Sequence, residues 1–481
     1  MKDYVPTIGL EIHAELKTKT KMFCGSLNDS EEKRPNVNIC EVCMAEPGSL
    51  PTINKQAVKN VLKIGLALNG KIADFTEFDR KNYFYPDIPK GYQISQYKYP
   101  LVQGGELNGV SLTRIHLEED TAKSTHQGGD FSLVDFNRAG VPLMELVTEP
   151  VIKSAEEASG FARELQMVLR YLDISDADME KGNMRVEVNI SIKRSSSDVK
   201  NPTTKLGTKV EIKNLNSFKT VEKAIEYEIK RQTKVLEEGS KVVQETRGWN
   251  EIKQETFSQR IKEDSHDYRY FPDPDLPKLF ISQIPEFSEE ALRKEIPELP
   301  KEKRARYKEQ YNLTEEDAEF FIRNKDFDDV FKMALGSIKD GNEKSTKLVS
   351  NYIISDLAGI VKEFPGVMTN KTKIAEDVAL IVDTIITGKI SSRGAKDVLR
   401  ATLETNRTAK EVIGTAPSQI NDEKDILGIV MKVMESNKTV VEEYKKGKTA
   451  SLQYLIGQAM KESRGKANPE ILRKILVSKL V

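Results

Sequence analysis

Three segments in the first half of the chain alternate apolar and polar side chains. They are residues 8–16, 186–192 and 209–213. Successive side chains of a strand point to opposite faces of a sheet, so this period of two predicts strands that are buried on one face only. The polar positions hold mainly charged, amide and hydroxyl side chains. We therefore predict a sheet with one apolar face and one open, charged face that is available for chemistry.

The second half of the chain has a helical pattern. Thr314 precedes three acidic residues, as expected for a helix N-cap and its first turn. Apolar residues recur with a helical period from Ile374 until Gly388, a typical residue at a helix end. Segments with proline at 297–300 and 414–418 separate these regions. The predicted class is α+β, with three parts: a strand-rich domain at 1–297, an all-α domain at 298–413 and a small helical tail at 414–481.

Composition narrows the possible function classes. The chain has 481 residues and a formal net charge of −1, and it has no apolar run of the ~18 residues that a membrane span needs. Its first residues lack the apolar core of a signal peptide and the arginine-rich composition of a transit sequence. Three cysteines do not suggest a disulfide framework. These properties predict a cytoplasmic enzyme whose contacts with nucleic acid depend on local basic patches.

Carboxylates and histidines lie within apolar, strand-like segments, where they are costly to bury unless a cation lies between them. The segments are residues 9–13, 114–120 and 142–150. Glu11 and His13 share one face of their strand because they are two residues apart, and Glu145 and Glu149 share a face in the same way. Carboxylates with one imidazole suit Mg²⁺ or Mn²⁺. We predict a divalent-metal site that acts on phosphate; the alternative is a set of solvated strand faces with incidental ion pairs.

The middle segment leaves two assignments open. Strict alternation groups Arg114, His116 and Glu118 on the polar side and puts Glu119 on the other. Either Glu118 is the metal ligand, or the strand breaks after Leu117 and Glu119 turns inward. The residues alone do not decide between these two carboxylates.

A cation-rich and aromatic segment, residues 79–87, is the best candidate for phosphate and nucleotide contacts. Lys81 is suited to phosphate oxygens, and Tyr83 and Tyr85 are suited to stacking on a base or ribose. The alternative is a surface loop. A P-loop is not the source of nucleotide binding, because Glu442 stands where the Gly447-Lys448-Thr449 segment would need an upstream glycine.

The three cysteines have part of a zinc-ligand pattern. Cys40 and Cys43 have ligand spacing, and Cys24 lies upstream. A structural zinc ion takes four ligands, so the fourth would be another side chain or water. The alternative is a group of three reduced, partly buried thiols.

Several of these motifs together resemble the B subunit of the bacterial and archaeal aspartyl/glutamyl-tRNA amidotransferase. The resemblance covers essentially the whole chain. Its most specific pieces are residues 9–13, 78–86, 92–96, 116–120 and 213–217. It implies a glutamine-synthetase-like cradle on a mainly antiparallel sheet, then a helical domain and a helical tail. It also implies a carbon–nitrogen ligase that uses glutamine as the amido donor.

The resemblance implies a reaction with partners. ATP and Mg²⁺ would be used to phosphorylate the side-chain carboxylate of Glu-tRNA(Gln) or Asp-tRNA(Asn), and ammonia would then displace phosphate. The chain has no Gly-x-Ser-x-Gly nucleophile motif. Ammonia would therefore come from an amidase (glutaminase) subunit, and a small third subunit would complete a heterotrimer.

Individual residues take expected roles by position. The resemblance favours Glu119 over Glu118, so the expected magnesium ligands are His13, Glu119 and Glu145, with Glu11 nearby as a catalytic residue. Lys81 and Arg138 are expected to contact phosphate. Expected nucleotide contacts also include Tyr83, Lys213 and Asn214. Many relatives have a cysteine where this chain has Ser26, which weakens the case for zinc at Cys24, Cys40 and Cys43.

The basic tail is expected to contact tRNA, mainly through phosphates. The expected contacts are Lys445, Lys446, Lys448, Lys461 and Arg464. The alternative for the tail is a solvated helical face. For the whole protein, two other functions compete: a tRNA-binding scaffold without chemistry, and a metal-dependent phosphohydrolase that cleaves RNA without ATP.

Overall fold

The computed structural model describes residues 4–126, 130–194, 206–261, 268–414, 420, 422–463 and 465–480. The chain forms two compact units, Met1–Pro300 and Lys301–Val481. Within the described residues, no helix combines the length and apolar character needed to cross a membrane.

The first unit is built on a ten-stranded sheet with smaller sheets beside it. The strands are β1 Tyr4–Glu15, β2 Lys71–Ile72, β3 Phe75–Thr76, β4 Asp79–Asn82, β5 Tyr92–Ser95, β6 Val102–Gln103, β7 Glu106–Leu107, β8 Val110–Glu119, β9 Lys123–His126, β10 Ser132–Asp135, β11 Pro142–Thr148, β12 Met184–Arg194, β13 Val210–Leu215, β14 Glu245–Asn250, β15 Glu255–Ile261, β16 Phe271–Pro272 and β17 Leu279–Phe280.

The large sheet has the order β15-β14-β13-β12-β1-β11-β8-β6-β2, and β7 also pairs with β8. Its neighbours run antiparallel except for β13 and β14, which are parallel. The long central strand β1 pairs with β12 over Tyr4–Ala14 and with β11 over Glu11–Glu15. The predicted α+β class with a mainly antiparallel sheet is confirmed.

Three helices of the first unit belong to the same hydrophobic core as one face of the sheet. They are α1 Lys55–Ala67, α2 Ala155–Tyr171 and α3 Phe218–Glu237, and a short helix, α4 Glu289–Lys294, follows. Asn54, Ser154 and Ser217 cap the three long helices by accepting hydrogen bonds from backbone N–H groups. The strands contribute the alternate apolar residues that the period of two predicted, such as Ile8, which is fully buried. The opposite face of the sheet carries the polar side chains.

The second unit is helical. Its helices are α5 Pro300–Tyr311, α6 Glu315–Arg323, α7 Lys325–Ser337, α8 Glu343–Asn351, α9 Ala358–Glu363, α10 Lys371–Ile386, α11 Ser392–Thr405, α12 Ala409–Ile413, α13 Glu423–Ser436, α14 Lys438–Lys445, α15 Ala450–Glu462 and α16 Pro469–Leu480, with a π-helical segment at Tyr352–Leu357. Thr314 accepts a hydrogen bond from the N–H of Asp317, so it is the predicted N-cap.

The second unit holds two separate hydrophobic clusters. One lies within residues 307–412 and the other within residues 426–480. Residues 415–419, where we expect the tail to begin, lie outside the described part of the chain. The division of the chain into three domains therefore stays a prediction.

Candidate functional site

Antiparallel pairing brings four polar side chains into one row across the polar face. His13 on β1 is opposite Arg185 on β12 and Glu145 on β11, and Glu145 is opposite His116 on β8. Residues that are directly opposite in a sheet point to the same face. Glu118 shares that face because it is two residues from His116. The strands therefore bring together residues that are far apart in the sequence.

The side chains of His13, His116, Glu118 and Glu145 converge, and we call them the acid–histidine cluster. One oxygen of Glu145, Oε2, lies 3.4 Å from Nε2 of His13 and 3.2 Å from Nε2 of His116. The two oxygens of Glu118 lie 3.7 Å from Nε2 of His13 and 3.9 Å from Nε2 of His116. All four side chains are largely buried, at 3–16% exposure.

The pKa shifts in the cluster show that its two carboxylates favour positive charge nearby. Burial lowers the pKa of His13, but its hydrogen bond to Glu145 and the charges of Glu145 and Glu118 outweigh that effect and raise the pKa from 6.5 to about 9. Burial raises the pKa of Glu145, yet the charges and hydrogen bonds of His116 and His13 hold it well below its ordinary value. Protonated His13 therefore neutralises part of the carboxylate charge in the metal-free protein.

A divalent ion fits this arrangement. Ligand atoms of His13, Glu118 and Glu145 all lie within 4.8 Å of one another, which is close to the span of ligands around one ion with bonds of ~2.1 Å. His116 also faces the two carboxylates, through Nε2 and not through Nδ1. The second imidazole moves the donor set from Mg²⁺ toward Mn²⁺.

The structure brings Glu118, and not Glu119, into the cluster. Strand β8 continues unbroken to Glu119, so alternation turns that carboxylate to the other face. There Glu119 pairs with Lys90 and accepts a 2.9 Å hydrogen bond from the N–H of Ile94. Simple alternation matches this geometry, whereas the choice of Glu119 by resemblance does not. The metal-binding role of either carboxylate stays untested.

Glu11 lies on the same polar face but in a second acidic group. Ligand oxygens of Glu11, Glu187 and Glu211 lie within 4.8 Å of one another. Nζ of Lys213 is 2.9 Å from Glu187 and 3.7 Å from Glu211. Lys213, expected to contact nucleotide, therefore already neutralises part of this acidic group. Asn214 is exposed and has a left-handed backbone, with φ of 63°.

Lys81 on β4 faces the acid–histidine cluster. Burial lowers the pKa of Lys81, but the charges of Glu118 and Glu145 raise it above its ordinary value. Its ammonium lies 5.1 Å from the ring centre of Tyr268 and 5.9 Å from that of Tyr83. Lys81 and Tyr83 are thus beside the cluster, as expected for residues that contact a phosphate or nucleotide.

Arg138 has a different position from the one we expected. Its Nε and Nη2 donate hydrogen bonds of 2.9 and 3.0 Å to the carbonyl oxygens of Thr121 and Ala122. These bonds commit much of the guanidinium to the turn after β8, and its role as a phosphate contact stays a prediction. Arg185, by contrast, forms an ion pair with a carboxylate, with 2.7 Å between its Nη2 and Oδ2 of Asp120, and lies opposite His13.

Sequence reasoning did not assign Arg185 or His116 to the site. Both had a usable signal. Arg185 is directly before Val186, so extending the alternation of β12 by one residue puts it on the polar face. His116 was on the polar side of its segment, but the metal set was limited to one imidazole.

The three cysteines lie together, as their spacing predicted, and all are free thiols. Sγ of Cys43 is 3.9 Å from Sγ of Cys40 and 3.9 Å from Oγ of Ser26. The buried ammonium of Lys21 is 3.8 Å from the same sulfur. Three thiols beside a hydroxyl and a lysine do not make the closed four-ligand set of a structural zinc site.

The tail lysines are on the surface of the second unit. Lys445, Lys446, Lys448 and Lys461 are exposed. Lys448 pairs with Glu443 at 2.9 Å. Arg464 lies outside the described residues.

Comparison with known proteins covers nearly the whole chain. A family model described as GatB/GatE catalytic domain matches residues 6–285, and one described as GatB domain matches residues 330–480. A protein of Caldanaerobacter subterraneus subsp. tengcongensis is 45% identical over 490 residues, which cover 99% of each chain. A protein of Persephonella marina is 44% identical, covering 98% of this chain and 99% of its own. Both are named as the B subunit of an aspartyl/glutamyl-tRNA(Asn/Gln) amidotransferase.

Proposed function

Because the chain belongs to the family of B subunits of the aspartyl/glutamyl-tRNA(Asn/Gln) amidotransferase, we propose that it amidates the side-chain carboxylate of Glu-tRNA(Gln), Asp-tRNA(Asn) or both. The resemblance found in the sequence motifs is thereby confirmed at the level of the family. The observation that supports this chemistry is the acid–histidine cluster, on an open polar face with Lys81 beside it.

The reaction needs an activated carboxylate, because a free carboxylate is a poor acyl donor. An oxygen of the substrate carboxylate attacks the γ-phosphorus of ATP, and ADP leaves. Ammonia then attacks the carbonyl carbon, the C–O bond to phosphate breaks, and loss of a proton gives the amide. In phosphoryl transfer, positioning and stabilisation of charge supply most of the catalysis.

Each residue near the cluster has a role in that scheme. His13, Glu118 and Glu145 would hold a divalent ion, with His116 beside them, and the ion would neutralise charge on the transferred phosphoryl group. Lys81 adds a fixed positive charge next to the cluster. Arg185 lies opposite His13 on the neighbouring strand, and its guanidinium, paired with Asp120, adds a further positive charge near the cluster. These cations favour the phosphorylated carboxylate over the free acid.

Ammonia has to come from another protein under this proposal. The relatives are named as subunits, which supports a multi-subunit enzyme. We propose an amidase subunit as the source of ammonia and a small third subunit that completes a heterotrimer. We also propose that residues 414–481 form the tail that contacts tRNA phosphates.

The test uses the complex purified with co-expressed partner subunits. Glu145→Gln should abolish the release of ADP and the formation of amide with mischarged Glu-tRNA or Asp-tRNA, while tRNA binding remains. Glu149→Gln is the matched control, because Glu149 is just beyond the same strand and pairs with the hydroxyl of Thr113 at 2.7 Å. We expect it to retain activity.

The two competing functions give different results in the same assay. Unchanged release of ADP in Glu145→Gln would favour a scaffold without chemistry. Cleavage of RNA in the absence of ATP would favour a phosphohydrolase. Either result would exclude the proposed activation of the carboxylate.

A further inference from the structure

Five tyrosines form a continuous run in the first unit, and we call them the tyrosine run. They are Tyr83, Tyr85, Tyr97, Tyr268 and Tyr270. The ring centres of Tyr83 and Tyr268 are 5.9 Å apart, and so are those of Tyr268 and Tyr270. Tyr270 and Tyr97 are stacked, with centres 4.3 Å apart and planes 8° from parallel. Tyr85 contacts Tyr83 edge-on at 5.9 Å.

The backbone holds this run in place. The side chain of Asn82 donates hydrogen bonds of 3.1 and 2.8 Å to the carbonyl oxygens of Tyr268 and Arg269. Strand β16, just after Tyr270, pairs with β4. Two of the three segments that supply the rings, the one with Tyr83 and Tyr85 and the one with Tyr268 and Tyr270, are therefore fixed to each other before any ligand binds, which lowers the entropic cost of binding.

The middle of the run, at Tyr83 and Tyr268, lies beside the acid–histidine cluster. Lys81 is over the rings of Tyr83 and Tyr268 and interacts with the charges of Glu118 and Glu145. Both ends of the run reach solvent, where Tyr97 is 62% exposed and Tyr85 is 56% exposed. A planar group could thus stack at the surface while an attached group extends toward the cluster.

The proposed substrate has this shape. Its reactive carboxylate is on a short amino acid that is esterified to the terminal adenosine of tRNA. The nucleotides at that end are unpaired, and proteins commonly bind unpaired bases by stacking them on aromatic side chains. When the carboxylate is at the cluster, the short ester keeps the adenosine close to it.

We propose that the tyrosine run is a stacking subsite for the terminal adenosine of the aminoacyl-tRNA. This inference rests on the proposed function and names the part of the substrate that enters next to the cluster. The exposed ring of Tyr97, already stacked on Tyr270, provides the platform for the purine. The adenine of ATP is the competing occupant with the same ring chemistry, and the experiment separates the two.

The experiment uses an RNA minihelix with 2-aminopurine in place of the terminal adenine, mixed with the co-purified complex. Stacking should quench the fluorescence of 2-aminopurine in the wild-type protein. Tyr97→Ala and Tyr270→Ala should remove most of the quenching and weaken binding of the minihelix roughly ten- to hundredfold. Tyr270→Phe should behave like wild type, because stacking needs the ring and not the hydroxyl.

Two controls match these variants. Phe84→Ala removes an aromatic ring that is 86% exposed and lies next to Tyr85 but outside the run, and it should leave the quenching unchanged. A minihelix that lacks the terminal nucleotide should bind wild type and Tyr97→Ala equally. Equal weakening of both minihelices by Tyr97→Ala would show a general defect and overturn the subsite.

Two further results would overturn the proposal. Unchanged quenching in Tyr97→Ala and Tyr270→Ala would exclude the run as the platform. Unchanged quenching together with a raised KM for ATP would assign the run to the adenine of ATP instead.

The test of the subsite is independent of the test of the proposed function. Glu145→Gln should keep the quenching while it loses amidation, because stacking does not need the cluster. Quenching in a wild-type complex that forms no amide would support the subsite and reject the proposed function. If the wild-type complex forms amide but shows no quenching, the proposed function would be supported and the stacking subsite rejected.

Discussion

The acid–histidine cluster of the sheet and a buried aspartate in the second unit balance charge in different ways. In the second unit, Oδ2 of Asp328 is 2.6 Å from Nζ of Lys303 and 2.7 Å from Nζ of Lys332. The hydroxyl of Tyr307 donates a hydrogen bond to the other oxygen. We call these four residues the aspartate cluster. Its carboxylate is only 2% exposed, and both of its oxygens are bound.

The difference distinguishes a cluster whose charge the protein balances by itself from one that we propose to be functional. The aspartate cluster surrounds one carboxylate with two ammonium groups and a hydroxyl, so nothing else is needed to satisfy it. The acid–histidine cluster sets two carboxylates against two imidazoles, which carry positive charge only when they are protonated. A bound cation would satisfy the second arrangement but has no place in the first.

The largest expected effect comes from Glu118→Gln, which removes one carboxylate from the acid–histidine cluster. The rate of amidation should fall more than ~100-fold. This exceeds the roughly 10- to 100-fold loss that is typical when the residue removed only holds a metal ligand in place, because Glu118 would be a ligand itself. Folding should remain intact, because the change reduces repulsion between carboxylates. Amide formation from mischarged tRNA and binding of Mn²⁺ to the complex would be measured.

Glu119→Gln is the matched control for that variant. Its carboxylate pairs with Lys90 on the other side of the strand, so it should leave the affinity for Mn²⁺ unchanged even if activity changes. Weaker binding of Mn²⁺ in Glu119→Gln, with normal binding in Glu118→Gln, would contradict the arrangement of the cluster and favour the assignment by resemblance.

In the aspartate cluster, Asp328→Asn should act on stability instead of chemistry. It leaves the ammonium groups of Lys303 and Lys332 next to each other without their counter-charge, which should cost about 3–5 kcal/mol of unfolding free energy in the second unit. Urea denaturation would measure this loss. The rate of amidation per folded molecule should stay the same.

A control in the same unit is Glu462→Gln, which breaks an exposed pair with Lys432. Exposed pairs contribute little, so the unfolding free energy should change by less than ~1 kcal/mol. Equal destabilisation by Asp328→Asn and Glu462→Gln would show that burial of the aspartate cluster does not matter.

The sequence showed which side chains share one face of a strand, but it did not show which strands pair with each other. Alternation identified the polar side of β1 and favoured Glu118 in β8, because both depend only on local geometry. It could not show that β1 pairs with β11, or that Glu145 thereby lies between His13 and His116. It also gave no sign that Arg138 would bond to backbone carbonyls, since that contact depends on the turn after β8.

The aspartate cluster was not predicted for the same reason. Lys303 and Asp328 are on different helices, 25 residues apart in sequence. A helical period shows which residues share one helix face but not which helix packs against it. The N-cap at Thr314 was predicted correctly because the residues that define it are adjacent.

The pH dependence of metal binding provides a third, smaller test. The pKa of His13 in the folded, metal-free protein is about 9, above its ordinary value of 6.5. Protonated His13 therefore stabilises the metal-free fold fully below about pH 6.5, and this contribution is lost as the pH rises through about 9.

A metal ion binds only neutral imidazole, so it has to displace this proton. The apparent affinity for Mn²⁺ should therefore rise about tenfold per pH unit until about pH 9. His13→Asn should flatten this dependence. An affinity of the wild type that does not change between pH 7 and 9 would show that His13 is not a ligand.

The smallest expected effect is on tRNA binding by the tail, where, among the described residues, a lysine without an ion pair can be compared with a lysine that has one. Lys445 forms no ion pair within the described part of the chain, whereas Lys448 pairs with Glu443 at 2.9 Å. Each lysine that neutralises a phosphate contributes about 0.9 to the slope of log affinity against log salt. Lys445→Ala should lower the slope by about that amount and weaken tRNA binding several-fold.

Lys448→Ala should change the slope less, because the ion pair with Glu443 already neutralises part of the charge of Lys448. Titrations of tRNA at several salt concentrations would measure both variants in the full complex. Equal changes in slope would mean that the ion pair opens on binding and that both lysines contact phosphate. An unchanged slope in both variants would favour the alternative interpretation, in which the tail is a solvated helical face that does not contact tRNA.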